Sequence, residues 1–147
     1  TLVAWRDELE LSRRYLSIEQ YRLGDRLQMD WRVDGVPDDL PIPQLTLQPL
    51  LENALVYGIQ PRIEGGVVSV TADYVDGLFQ LVVSNPFDEA AQAQASRGTR
   101  QGLQNIDARL AALFGPLASL SVERRDGRHY SCLRYPCARL TQEARAI

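Results

Sequence analysis

Residues Leu45–Gly58 read LTLQPLLENALVYG. Leu47, Leu50, Leu51, Ala54 and Leu55 recur at i, i+3 and i+4, which makes one apolar face of a helix. Thr46 suits the N-cap, and Pro49 then falls in the first turn, where a missing N–H costs nothing. Glu52 and Asn53 sit inside this otherwise apolar helix. An ionised carboxylate is expensive to bury unpaired, so the acid and the amide are expected to border a polar cavity. Carboxylate and amide oxygens on a rigid helix suit an octahedral magnesium ion that also holds phosphates. The plainer alternative is an Asn that is solvated or hydrogen-bonded within the fold, and the surrounding sequence has to decide.

The chain has 147 residues, enough for one domain with its own core. The formal charge is −3 with signs mixed along the sequence, which argues against a nucleic-acid partner. No apolar run approaches the roughly 18 residues of a transmembrane helix, and no signal peptide is visible. The sequence opens at Thr1 directly in helical pattern, so it reads as a piece of a longer protein. Cys132 and Cys137 have no partner motif and read as reduced thiols rather than a disulfide or zinc site.

Outward from the central helix, residues 2–22 read as a long helix whose apolar stripe of Leu2, Trp5, Leu9 and Leu16 continues to Leu23, interrupted by Ser12 and widened by Leu11, Tyr15 and Ile18. Asp7, Glu8 and Glu10 precede Arg13 and Arg14, the order that suits ion pairing along a helix. After Gly24–Asp25, residues 26–33 alternate as a half-buried strand, and the proline-rich 34–43 read as a loop. Val67–Val75 and Leu78–Ser84 form a hairpin around Asp76–Gly77, the second strand apolar enough for a central place. Ser119–Arg125 and His129–Tyr135 form another around Asp126–Gly127. Between the hairpins, Asn85–Gln101 has almost no large apolar residue besides Phe87 and reads as a mobile lid or a plain insertion. Gly102–Phe114 is the next helix, with Asn105 and Arg109 on a face apart from its core stripe. The order predicts a two-layer α/β sandwich: a mixed, mostly antiparallel sheet with helices on one face. A ligand pocket is expected between the central helix and the lid. The division is residues 1–24 as an N-terminal helix, 25–140 as the main domain and 141–147 as a polar tail.

LQPLLENALVYGI resembles the asparagine box, LQPLvENAikHGi, of the ATP-binding catalytic domains of LytS-type sensor histidine kinases. GTRQGLQNIDARL resembles their GxGiGLxNvreRL block, and LELSRRYLSIEQYRLGDRL is similar to the segment after their phosphoacceptor helix. The resemblance implies the Bergerat, or GHKL-like, fold shared with gyrase, Hsp90 and MutL. It implies ATP and Mg2+ as cofactors. Its implied partners are a phosphoacceptor helix outside this sequence, a response regulator and, in the full-length protein, a second copy. It implies a cytoplasmic domain of an inner-membrane protein.

Residue by residue, Asn53 matches the magnesium ligand, and Glu52 is a candidate for orienting the acceptor or a metal-bound water. Gly98 and Gly102 match lid glycines, whose backbone approaches phosphate without a Cβ in the way. Leu103 and Asn105 match the start of the following helix. Arg109 matches the RL pair, with a surface salt bridge as the alternative.

The departures matter as much. Ser84-Asn85-Pro86 stands where the family reads adenine with DNG, so Ser84 would be a neutral acceptor and Pro86 removes a donor. Arg100 replaces the middle lid glycine, and Val56-Tyr57 replaces a basic pair. Losing one charged hydrogen bond costs about 1.5–3 kcal/mol, roughly ten- to a hundredfold in affinity. Arg97 or Arg100 could compensate by gripping phosphate with a guanidinium fork. His129 is the only histidine and reads as a surface or edge-strand residue, not a phosphoacceptor. The resemblance thus leaves a kinase domain, a degenerate signal-relay module, and, less well, an ATP hydrolase. For the last, Pro49 occupies the turn that would carry the catalytic Glu.

Overall fold

The computed structural model describes residues 2–87 and 118–137. Strand β1 (Leu2–Ala4) leads into helix α1 (Trp5–Leu23), and a 3-10 turn at Gly24–Arg26 leads out to β2 (Leu27–Gly35). Strand β3 (Pro41–Pro43) precedes α2 (Leu47–Ala54), which runs on into a π-helical turn at Leu55–Ile59. The hairpin β4 (Gly66–Val75) and β5 (Leu78–Pro86) follows, and then the hairpin β6 (Ser119–Arg125) and β7 (Arg128–Pro136).

Among the described residues five strands pair in the order β2-β4-β5-β7-β6, with β5 in the middle as its apolar run requires. Only β2 and β4 run parallel; the other pairs are antiparallel. Both hairpins turn where the sequence places Asp-Gly, with φ of 53° and 79° at Asp76 and Gly77 and 52° and 75° at Asp126 and Gly127. Those paired positive values are the two-residue turn that matches strand twist.

The core lies between the helices and one sheet face. Leu47, Leu50, Leu51, Ala54, Leu55 and Ile59 are all buried against Val68, Val70, Ala72, Phe79, Leu81 and Leu133. Trp5 meets Phe79 edge-on with ring centroids 5.3 Å apart, and Phe79 stacks on Tyr135 at the same distance.

Helix α1 begins at Trp5 rather than Leu2, because Leu2–Ala4 instead pair antiparallel with Pro41–Pro43 inside the expected loop. The first helical N–H groups are met by backbone: Trp5 N–H donates to Leu40 O and Arg6 N–H to Asp38 O, each at 2.9 Å. The buried face of α1 is Trp5, Glu8, Ser12, Leu16 and Leu23, while Leu11 and Ile18 point outward. Glu10 pairs with Arg14 as expected, but among the described residues Glu8 pairs with no cation, and it turns inward. Cys137 is buried with its thiol donating to Pro41 O, and Cys132 is half-buried; the two are not joined in a disulfide.

Gly65 follows α2 at φ +64°, and a Cβ there would stand 1.9 Å from Arg26 O. Gly65→Ala adds a clash to left-handed strain, so it is expected to destabilise by about 3 kcal/mol, read as a lowered urea midpoint.

Candidate functional site

Glu52 and Asn53 are neighbours on α2, and neighbours on a helix leave the axis about 100° apart. Asn53 is only 3% exposed, and its Oδ1 has no hydrogen-bond partner among the described residues. Glu52 is exposed and accepts from Gln48 Nε2 at 3.1 Å. Its charge is felt by α1: Tyr15 is pushed up to about 12 by burial first, then by the carboxylates of Glu19 and Glu52. The shared polar cavity expected for the pair is therefore corrected. The amide faces in and the acid faces out towards α1.

A buried carbonyl oxygen without a donor is costly, by roughly 1–3 kcal/mol, and such groups in native proteins call for an explanation. Ser12 Oγ on α1 is also unpaired, but it is a freely rotating hydroxyl rather than an amide fixed in a plane. An N–H or O–H donor or a hard cation would satisfy such an oxygen, so the residue is compatible with magnesium. Among the described residues no cluster of three or more His, Cys, Asp or Glu could hold a metal.

Strand β5 settles which residue of Ser84-Asn85 belongs on this side. Phe79, Leu81 and Val83 face the helices, so the alternation puts Asn85 on that face and Ser84 on the other. Ser84 Oγ accepts from Arg128 Nη2 at 3.0 Å, and the same nitrogen donates to Val67 O at 2.9 Å. The hydroxyl accepts this bond on the sheet face away from α2. Asn85 is 1% exposed, and its Nδ2 donates to Pro86 O at 2.7 Å. It lies against the π turn: a Cβ on Gly58 would stand 2.6 Å from Asn85 Cβ. Pro86 packs over Gly66, where a Cβ would be 2.5 Å from its ring.

Beside Asn85 in register stands His129. It is not at an edge, since β6 lies outside it, and it is buried rather than exposed, which corrects the sequence reading. Arg124 Nε donates to Nδ1 at 3.3 Å, and Ser131 Oγ lies 3.3 Å from Nε2. Phe87 stacks on the ring, and Arg124 covers Phe87. Burial and the Arg124 charge lower the imidazole to about 4, so it stays neutral near neutral pH. A phosphoacceptor role has no support in this packing.

Gly98, Arg100, Gly102, Leu103 and Asn105, with Arg97 and Arg109, lie outside the described residues, as does the lid. Sequence reasoning missed Glu8, Arg26 and Arg128. Only Glu8 left a signal, since it lies three residues after Trp5 and four before Ser12, on the buried stripe.

The fold is that of histidine kinase catalytic domains. The chain superposes on the catalytic domain of histidine kinase ThkA with a TM-score of 0.66 at 14% identity, covering 92% of this chain and 95% of that one. Full-length ShkA in complex with AMPPNP gives a TM-score of 0.65 at 20% identity, covering 95% of this chain and 32% of that one.

In sequence, the chain is similar to sensor histidine kinases. It is 33% identical over 115 residues to YpdA of Escherichia coli, covering 74% of this chain and 20% of that protein. It is 29% identical over 116 residues to YesM of Bacillus subtilis, covering 78% and 20%. It is 28% identical over 138 residues to the sensor protein LytS of Oceanobacillus iheyensis, covering 86% and 24%. The chain thus spans about a fifth to a quarter of the length of these curated relatives. None of them supports a narrower likeness to the sensor of alginate synthesis and twitching motility. No protein-family model matches the chain.

The His129 environment sets a pH dependence. Between its ordinary value of 6.5 and the folded value of about 4, the unfolded chain binds the proton and the folded one does not. Stability therefore falls as pH drops through that window. Urea midpoints at pH 7 and pH 5 are expected to differ more for the wild type than for His129→Gln.

Proposed function

We propose that this chain is the ATP-binding catalytic domain of a LytS-type sensor histidine kinase in a two-component system. It binds Mg-ATP and directs the γ-phosphoryl group to a histidine on a phosphoacceptor helix outside this chain, for relay to a response regulator. The observation that carries the reading is the buried Oδ1 of Asn53, without a partner among the described residues, on the helix of the asparagine-box motif. The likeness to sensor kinases over most of the chain and the ShkA fold, seen with an ATP analogue, support it.

In this reading Asn53 holds the metal through Oδ1. Asn85 stands at the base end on the same face of the sheet, in place of the Asp-Asn-Gly turn, with Ser84 behind it. Gly98, Arg100, Gly102, Leu103 and Asn105 contact the phosphates. Glu52, exposed beside α1, is placed to orient the incoming acceptor rather than the metal. When bound, Mg-ATP supplies the phosphoryl group and neutralises its charge; the protein's part is positioning. His129 stays neutral and packed, so the acceptor comes from elsewhere in the parent protein, within a homodimer.

The parent would be an inner-membrane protein with this domain on the cytoplasmic side. Among the described residues no helix is long and apolar enough to cross a membrane.

One observation favours a second reading, a relay module that keeps the fold but not the nucleotide. The Ser84 hydroxyl is taken by Arg128, and the Asn85 amide by Pro86 O. Calorimetric titration separates the two. ATP with magnesium is expected to bind with a dissociation constant in the tens of micromolar or weaker. Asn53→Ala and Asn53→Asp are expected to abolish the magnesium-dependent part with the fold retained. No heat at millimolar ATP from folded wild type would establish the relay module.

A further inference from the structure

Helix α2 is held at both ends by charges that come from one neighbouring segment. At its start, Glu8 of α1 is 1% exposed and accepts three backbone N–H groups. Oε2 takes Leu45 N–H at 3.2 Å, and Oε1 takes Thr46 N–H at 3.0 Å and Leu47 N–H at 3.3 Å. Thr46, the expected cap, gives its hydroxyl to Pro43 O at 2.6 Å and makes no cap bond. Leu45 sits at φ +58°, a conformation that is costly without glycine and that here turns successive N–H groups onto one anion.

At the far end, Arg26 follows α1; its Nε and Nη2 both donate to Arg62 O, at 3.2 and 2.8 Å, and Nη2 shares its hydrogens with Ile59 O at 3.1 Å and Gln60 O at 3.0 Å. An anion at the N-terminus and a cation at the C-terminus both complement the helix dipole. Asn53 lies midway between Leu47 and Ile59.

We infer that Glu8, with Arg26, is a positioning residue for Asn53, so that the placement of α1 is read out as affinity for the metal-bound nucleotide. This rests on the kinase reading above. Apolar contacts along α2 are non-directional and tolerate small slides and rotations. Hydrogen bonds to named carbonyls and N–H groups fix the axial and rotational setting. The unpartnered Oδ1 depends on that setting, because its own side chain has no acceptor bond to hold it. A shift of α1 would carry both tethers, and α2 with them.

The test uses the whole 147-residue chain and the variant Glu8→Gln, which keeps shape but sets an NH2 against one backbone N–H. Two measurements are made: ATP titration with and without magnesium, and the NMR positions of the Asn53 side-chain amide without nucleotide. Glu8→Gln is expected to move the Asn53 amide signals. It should weaken ATP binding with magnesium about tenfold, and binding without magnesium less than about twofold. Arg26→Lys, which keeps charge but loses the fork, is expected to move the same signals and serves if Glu8→Gln does not fold.

Unmoved Asn53 signals in a folded variant would overturn the inference. So would equal losses with and without magnesium, the mark of a purely structural role. If wild type shows no magnesium-dependent binding, the kinase reading fails and the amide signals alone decide whether Glu8 places Asn53.

Discussion

A carboxylate withdrawn from water has to be met by donors, and the buried Glu8 is met by the backbone of Leu45, Thr46 and Leu47. Much of the helix layer follows from that demand. Trp5, Ser12 and Leu16 bury the face of α1 that carries the acid. The chain between β3 and α2 must then turn its N–H groups to reach it, which sets the left-handed Leu45 and sends the Thr46 hydroxyl to Pro43. The apolar face of α2 lands on Phe79 and Leu81 with its register already decided. What the hydrophobic effect supplies in magnitude, this one anion supplies in direction.

Most of the architecture was legible. The alternation of Val68, Val70 and Ala72, the apolar β5 and the two Asp-Gly turns gave the hairpins and the central strand, because period and turn chemistry act locally. The i, i+3, i+4 pattern gave α2. What was not legible depends on partners far along the chain. Pro41–Pro43 read as loop because prolines disfavour ladders, yet this short two-stranded sheet uses them against Leu2–Ala4. Glu8 read as a surface charge because an acid followed by arginines suits an exposed helix. Its true partners are N–H groups some forty residues away in the chain, which leave no trace in composition.

Of the candidate site, the helix that carries Asn53 was legible from its pattern, but on β5 a single position decides which face a side chain takes. Matching motif letters put the base acceptor at Ser84, but a shift of one position exchanges the two faces of a sheet. Parity with Phe79, Leu81 and Val83 puts Asn85, not Ser84, on the helix side of the sheet. The same kind of error joined Glu52 to Asn53, which adjoin in sequence and part on the helix surface. The inward amide keeps an oxygen without a donor, a local loss of stability of the sort tolerated where a ligand completes the set.

The closeness of Gly58 to Asn85 reaches beyond this chain. Two segments, one from the π turn and one from the middle strand, share a space with room for only one set of side-chain atoms. Evolution therefore sees these two positions as a single volume. A lineage that enlarges the first has to shrink the second or push the strand end outward, so substitutions at 58 and 85 should travel in pairs among homologues.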